Sequence, residues 1–169
     1  MDKLVIQGGH PFSGSVQIAG AKNAALPILA ASLLGGTQVS LANVPHVSDV
    51  TSMLELLRGL GAEVGPLRNG RLSLSTADVL SSETTYDIVR RMRASFLVLA
   101  PLVGRFGHAR ISRPGGCAIG TRPVDLHLEA LQQLGAEVRT EGGVIDVTAR
   151  GGLRGERIVF PAPSVGATH

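Results

Sequence analysis

The single cysteine of the chain, Cys117, lies among glycine, proline and arginine residues that suit an anion-binding loop. The loop runs from Arg113 to Pro123, and its three glycines permit a ligand to approach the backbone closely. A helix is predicted to begin at Pro123, so its unpaired amides would face the loop and favour an anion. Arg113 and Arg122 suit bidentate contacts with phosphate or carboxylate. These surroundings favour a reactive thiolate or a readily donated proton at Cys117, and the alternative is a small buried cysteine in a tight loop.

A second group with chemical potential is the pair Lys22 and Asn23, at the predicted start of an apolar helix. A lysine is poorly placed there, because the N-terminal end of a helix carries partial positive charge. A bound phosphate or carboxylate would remove this mismatch. The alternative is an ordinary solvated lysine.

Two polar side chains, Asp125 and His127, fall in the first turn of the helix predicted after Pro123. An aspartate there stabilises the helix dipole, so a structural role is at least as well supported as ligand contact. The other histidines show no metal-ligand spacing, and the sequence contains no paired CxxC, P-loop or dinucleotide fingerprint. We therefore predict neither a metal nor a cofactor.

Composition limits the classes of protein to consider. The 169 residues are 44% hydrophobic and 17% charged, which suits one compact domain and excludes a disordered chain. A net charge of +3 and 3% aromatic residues argue against nucleic-acid binding. One cysteine cannot form an internal disulfide, and no signal peptide or apolar run long enough for a bilayer is present, so we expect a cytoplasmic protein with no membrane association.

The chain repeats itself, and this repeat organises the elements that must position the candidate residues. Aligning Asn23 with Arg93 places two apolar helical segments over each other. Further along, the segment ending in Gly61-Ala62-Glu63-Val64 matches the one ending in Gly135-Ala136-Glu137-Val138, with four extra residues in the second copy. The insertion coincides with the Cys117 loop. Arg93 takes the place of Asn23 in the second copy, which makes it a candidate for contact with a ligand. The alternative is an arginine that snorkels or forms an ion pair.

Each copy is predicted to form a helix, a strand, a helix and two strands, because the apolar spacing changes from helical to alternating and back. Ser48 and Asp49 are candidate caps for the second helix of the first copy, which Gly61 should end. The corresponding helix of the second copy should run from Pro123 to Gly135. Asn69-Gly70 and Gly142-Gly143 predict hairpin turns.

A third copy begins near the end of the chain, where Gly166-Ala167-Thr168-His169 resembles Gly20-Ala21-Lys22-Asn23. The expected units cover about 22–91 and 92–162, followed by the start of a third. We therefore expect a fragment, because a sheet without its covering helix leaves one face bare.

These residues resemble one family closely. Gly20-Ala-Lys-Asn-Ala-Ala-Leu-Pro27, Met92-Arg-Ala-Ser95, Pro114 to His127 and Ser164-Val-Gly-Ala-Thr168 are similar to the motifs of UDP-N-acetylglucosamine enolpyruvyl transferases. The resemblance runs along the whole chain and covers well under half of the family's usual length. The Cys117 loop argues against the related shikimate enolpyruvyl transferases.

The resemblance implies an α/β fold, the inside-out α/β barrel of enolpyruvyl transferases built from repeated βαβαββ units and here incomplete. Residues 1–21 would be strands belonging to an absent second domain, and 22–169 would be the first domain. The implied reaction transfers the enolpyruvyl group of phosphoenolpyruvate to the 3′-hydroxyl of UDP-N-acetylglucosamine and releases phosphate, the first committed step of peptidoglycan precursor synthesis.

The resemblance also implies roles for individual residues. Cys117 would donate a proton to the enolpyruvyl methylene and be the position alkylated by fosfomycin, and Lys22 would neutralise phosphoenolpyruvate. Lys22, Asn23 and Arg122 would bind phosphoenolpyruvate. The residues expected to bind UDP-N-acetylglucosamine are Arg93, Arg122, Pro123, Val124, Asp125, Leu126, His127, Ser164 and Val165.

The implied general base lies in the family's second domain, so this chain should need its own C-terminal domain and should not turn over alone. The alternative from another class is a non-catalytic half that binds an anion or a nucleotide sugar. A basic nucleic-acid module is a distant third, because the charge is not clustered.

Overall fold

The computed structural model describes residues 3–79, 81–82, 93–112 and 124–168, with the backbone alone for 93–95. The first unit comprises five elements in the predicted order of helix, strand, helix, strand, strand. They are α1 (Lys22–Gly35), β1 (Gln38–Leu41), α2 (Ser48–Gly59), β2 (Glu63–Val64) and β3 (Leu72–Ser75).

The second unit repeats this order, with one local change at its start. A 3-10 helix, Arg93–Val98, continues directly into α3, so that the buried helix of this unit is divided in two. Pro101 lies in the first turn of α3, where its missing N–H is tolerated. The elements that follow the 3-10 helix are α3 (Leu99–Phe106), β4 (His108–Ser112), α4 (Asp125–Gln133), β5 (Glu137–Glu141) and β6 (Val144–Thr148). A short helix, α5 (Val165–Thr168), ends the described chain.

The two units form equivalent antiparallel sheets, with strand orders β1-β3-β2 and β4-β6-β5. Gln38 pairs with Ser75 in the first sheet, and His108 pairs with Thr148 at the corresponding place in the second. Both predicted hairpin turns are confirmed. Their central residues have positive φ, 49° and 70° at Asn69-Gly70 and 57° and 77° at Gly142-Gly143, as two-residue hairpins require.

The predicted C-terminal ends of α2 and α4 are confirmed, whereas their predicted N-terminal ends are wrong. Gly61 and Gly135 follow α2 and α4 with φ of 103° and 94°, which the absence of a Cβ permits. The capping prediction for Ser48 and Asp49 is wrong, because α2 already begins at Ser48, and Val47, which has no polar side-chain atom, holds the cap position. Helix α4 begins at Asp125 rather than Pro123.

One apolar core joins the two units. Leu29 and Leu33 of α1 are fully buried, as are Val98 and Ile145 of the second unit. Arg105 at the end of α3 reinforces the junction, since its guanidinium donates to the backbone oxygens of Leu33 at 3.0 Å and Thr76 at 2.7 Å. These carbonyls lie at the end of α1 and just after β3, so the second unit satisfies acceptors of the first.

Residues 3–21, the described part of the chain before α1, form no strand, and residues 3–19 are exposed. Apolar side chains project from it, among them Leu4 and Ile6 at 88% and 83% exposure and Phe12 completely exposed. Their assignment to strands of a second domain stays a prediction.

Candidate functional site

The N-terminal ends of α1 and α2 meet at an ion pair. Lys22 Nζ lies 2.7 Å from Asp49 Oδ2, and both side chains are about half exposed at 49% and 41%. Asp49 stands in the first turn of α2, where its carboxylate also complements the helix dipole. Lys22 is therefore held in place by a partner, which the solvated-lysine alternative did not include.

The start of α1 is open to an anion. Its cap position is held by Ala21, whose side chain cannot accept a hydrogen bond from the first amides of the helix. Lys22 and Asn23 follow and are exposed. An anion bound here would accept hydrogen bonds from backbone N–H groups and from the Lys22 ammonium. It would compete with Asp49 for that ammonium.

The start of α4 holds four of the residues assigned to the nucleotide sugar. Val124 is buried and Asp125 is exposed, while Leu126 and His127 are partly buried. The His127 ring meets the Phe96 ring edge to face, with centroids 5.2 Å apart and planes at 88°. On α5, a Cβ added at Gly166 would lie 3.3 Å from His127 Nε2, so the imidazole also packs closely against that backbone.

Burial determines the charge state of His127. It lowers the pKa of the imidazole from its ordinary value of 6.5, and the backbone groups of Gly166 and Val124 oppose this too weakly to cancel it. Nδ1 is buried and has no hydrogen-bond partner of acceptable geometry among the residues that the structure describes. The ring is thus favoured in its neutral form and packed within the protein.

Ser164 caps α5. Its Oγ accepts a hydrogen bond from the Ala167 N–H at 3.3 Å, and its carbonyl accepts from the Thr168 hydroxyl at 2.6 Å. Val165 is 75% exposed beside it. The cap fixes the position of the Ser164-Val165 backbone at the chain's third helical start.

These segments border an apolar cleft of about 470 Å³. Its lining includes Pro27 and Ala30 of α1, Phe96 of the 3-10 helix, His127 of α4 and Gly166 of α5. Glu156 is the charged residue of the described lining. Of the nucleotide-sugar candidates, His127 belongs to this lining, whereas Lys22 and Asn23, the candidates for phosphoenolpyruvate, do not.

Several predicted site residues lie outside the described residues, namely Cys117, Arg122 and Pro123. For Arg93 the structure gives the backbone only, at the start of the 3-10 helix. Sequence reasoning missed Asp49 as the partner of Lys22 and Phe96 as the partner of His127. Asp49 had a signal, an acidic residue in a first helical turn, whereas the pairing itself depends on how α1 and α2 pack.

A second, polar pocket of about 240 Å³ lies on the outer face of the second sheet. Arg110, Arg139 and Arg150 alternate there with carboxylates such as Asp146, which lies 3.3 Å from the His108 ring. The mixed charge makes it a poor site for a strongly anionic ligand. Within the described ranges, no three His, Cys, Asp or Glu side chains group as metal ligands, and no helix is long and apolar enough to cross a membrane.

Comparison with known proteins identifies the family. The model of the family described as EPSP synthase (3-phosphoshikimate 1-carboxyvinyltransferase) matches residues 6–169. The chain belongs to the EPSP synthase family. Within this family, it is 54% identical over 168 residues to UDP-N-acetylglucosamine 1-carboxyvinyltransferase 2 of Mesorhizobium japonicum. It is 51% identical over 178 residues to UDP-N-acetylglucosamine 1-carboxyvinyltransferase of Rhodospirillum centenum. Each alignment covers 99% of this chain, and the chain spans 40% and 41% of the length of these relatives.

Solved structures of EPSP synthase family proteins share the fold. The enolpyruvyl transferase NikO from Streptomyces tendae matches with a TM-score of 0.70 and 26% identity, over 85% of this chain and 31% of that one. EPSP synthase from Acinetobacter baumannii matches with a TM-score of 0.66 and 16% identity, over 91% of this chain and 36% of that one. The predicted fold class, an incomplete enolpyruvyl transferase fold of repeated α/β units, is confirmed.

Proposed function

We propose that this chain forms the first-domain part of a UDP-N-acetylglucosamine 1-carboxyvinyltransferase. The observation that carries the proposal is identity of about half of all positions, over almost the whole chain, to relatives bearing that name. The EPSP synthase with the same fold is only 16% identical. The sequence places the Cys117 loop between β4 and α4. This loop also supports a UDP-N-acetylglucosamine transferase rather than a shikimate enolpyruvyl transferase.

In the proposed reaction, the 3′-hydroxyl oxygen of UDP-N-acetylglucosamine forms a bond to C2 of phosphoenolpyruvate while C3 gains a proton from the Cys117 thiol. The hydroxyl proton passes to a base outside these residues. Loss of a proton from C3 and cleavage of the bond to phosphate then restore the double bond and release phosphate. General acid catalysis and fixed cations are what this addition requires.

The start of α1 supports binding of phosphoenolpyruvate by Lys22 and Asn23. The Lys22 ammonium is already paired with Asp49, and α1 begins without a side-chain cap, so little ordering of the lysine side chain is needed when the anion arrives. Arg122 would add a second cation from the Cys117 loop. Asp49 keeps Lys22 in place when the site is empty and yields it to phosphate or carboxylate.

The three segments around the apolar cleft support the UDP-N-acetylglucosamine assignment. Arg93, the first turn of α4 and the capped Ser164-Val165 backbone belong to segments that pack on one another through Phe96 and Gly166. We further propose that the whole protein acts in the cytoplasm in cell-wall synthesis, that fosfomycin alkylates Cys117, and that the exposed apolar residues of 3–19 pair with a second domain.

A non-catalytic half that binds an anion or a nucleotide sugar is the second candidate, favoured by the uncapped start of α1 beside Lys22, which can bind an anion without further chemistry. The decisive experiment is the intact mass of the natural gene product, measured together with phosphate release from phosphoenolpyruvate and UDP-N-acetylglucosamine. A mass well above 17.5 kDa with phosphate release supports the transferase. A 17.5 kDa product that binds UDP-N-acetylglucosamine without releasing phosphate supports the binding half.

A further inference from the structure

His127 lies where three segments of the chain meet. Its ring stands edge to face on Phe96 of the 3-10 helix and packs against Gly166 of α5, while its own backbone belongs to the first turn of α4. A Cβ added at Gly166 would lie 3.3 Å from Nε2, so a displacement of α5 towards α4 presses directly on the imidazole.

Each of these segments carries residues proposed to bind the nucleotide sugar. Phe96 lies one turn after Arg93 in the same 3-10 helix, and Gly166 directly follows Ser164-Val165. His127 follows Val124 on α4. The imidazole therefore touches a neighbour of every group of nucleotide-sugar candidates, and His127 itself is among the residues that line the apolar cleft.

The repeat shows that this histidine replaces an apolar core residue. The alignment of Gly61 with Gly135 places Met53 of α2 over His127 of α4, and Met53 is fully buried. The same position in the second unit holds an imidazole whose Nδ1 is buried without a partner among the described residues. Burial of an imidazole costs hydration, as its lowered pKa shows, so methionine would serve better if packing were the sole requirement.

We propose that His127 is a positioning residue that couples the Arg93, Val124 and Ser164 segments and so sets their relative placement for the nucleotide sugar. The coupling rests on the contacts of the ring, and its consequence for binding rests on the proposed function. This positioning role acts through the neighbours of His127 and is separate from the ligand contact that the resemblance assigns to it.

A ligand-free test uses NMR of this chain with Gly166→Ala, which places a methyl group against Nε2. Gly155→Ala is the matched control, because a Cβ there meets nothing within 4 Å. We expect Gly166→Ala to shift the backbone amide resonances of 93–98 as well as those of 164–168, and Gly155→Ala to leave 93–98 unchanged. In a His127→Met background the shifts at 93–98 should disappear. Changes confined to 164–168 would overturn the coupling.

The second measurement is the affinity for UDP-N-acetylglucosamine together with the melting temperature. His127→Met and Gly166→Ala should each weaken binding about tenfold, and the double variant should be no weaker than the worse single variant, because both act through one contact. His127→Met should melt no lower than the parent, which a merely structural residue would not allow. Unchanged affinity in both variants would overturn the positioning role. If the parent chain coupled the segments but bound no UDP-N-acetylglucosamine, the proposed function would fail for this chain while the coupling stood.

Discussion

The two units share one scaffold but use the start of their second helix differently. In the first unit, α2 offers Asp49 to Lys22, which leaves a half-exposed ion pair beside an open helix terminus. In the second unit, α4 offers His127, which is partly buried and packs against Phe96 and Gly166. A repeated fold can therefore hold an exposed ion pair at a helix start in one copy and an aromatic packing contact in the other, with few changes of residue.

The four-residue insertion is the second difference between the units. The first unit joins β1 to α2 with the short segment 42–47, whereas the corresponding segment of the second unit contains the Cys117 loop. Insertions into surface connections cost little stability, so chemistry can be added to one copy without disturbing the shared sheets.

The largest effect on activity should come from Cys117→Ser, which removes the thiol of the inserted loop, in the protein that carries a complete second domain. A hydroxyl is a far weaker acid than a thiol, so we expect phosphate release to fall by about 100-fold or more. Alkylation by fosfomycin, followed by intact mass, should vanish with it. Full activity in this variant would remove Cys117 from the mechanism.

Lys22→Ala tests the first unit's site. Loss of a charge-assisted contact should weaken phosphoenolpyruvate binding by about 10- to 100-fold. Stability should change by less than about 0.5 kcal/mol, because the Lys22–Asp49 pair is half exposed. Lys3→Ala, in the exposed segment before α1, is the control and should alter neither quantity. A large drop in melting temperature without loss of binding would show that Lys22 is structural.

Arg105→Ala tests a difference between the two units at their junction. The repeat aligns Arg105 of the second unit with Gly35 of the first, which has no side chain. Removing the guanidinium that donates to the backbone oxygens of Leu33 and Thr76 should destabilise the fold by about 2 kcal/mol. Arg58→Ala is the matched control, because Arg58 makes one exposed bond of 3.4 Å to Val64. Chemical denaturation measures both, and equal losses would contradict a special role for Arg105.

The smallest expected effect is the pH dependence that His127 confers. Its pKa is lowered in the folded state, so the unfolded state binds the proton more readily. This contribution to stability is present above about pH 6.5 and declines as the pH falls below it towards the folded-state pKa. Denaturation from pH 7.5 to 5 should show a decline that His127→Met reduces. The same dependence of stability on pH in the parent and in His127→Met would contradict this role of His127.

The order of elements, both hairpins and the glycine helix ends were predictable because they depend on local spacing and backbone freedom. Asn69-Gly70 and Gly61 carry that information within a few residues. The Lys22–Asp49 pair and the contacts of Arg105 and His127 join residues far apart in sequence. No local pattern encodes how α1 meets α2 and α3, or how α4 meets the 3-10 helix and α5. Ser48 misled the capping prediction because any serine before an apolar stripe resembles a cap, whereas α2 starts one residue earlier.

Acceptor choice tests the central claim most directly. Phosphate release from phosphoenolpyruvate by the gene product that contains this chain should be measured with UDP-N-acetylglucosamine and, in parallel, with 3-phosphoshikimate. We predict release with UDP-N-acetylglucosamine only. Release with 3-phosphoshikimate, or with neither acceptor, would contradict the proposed function.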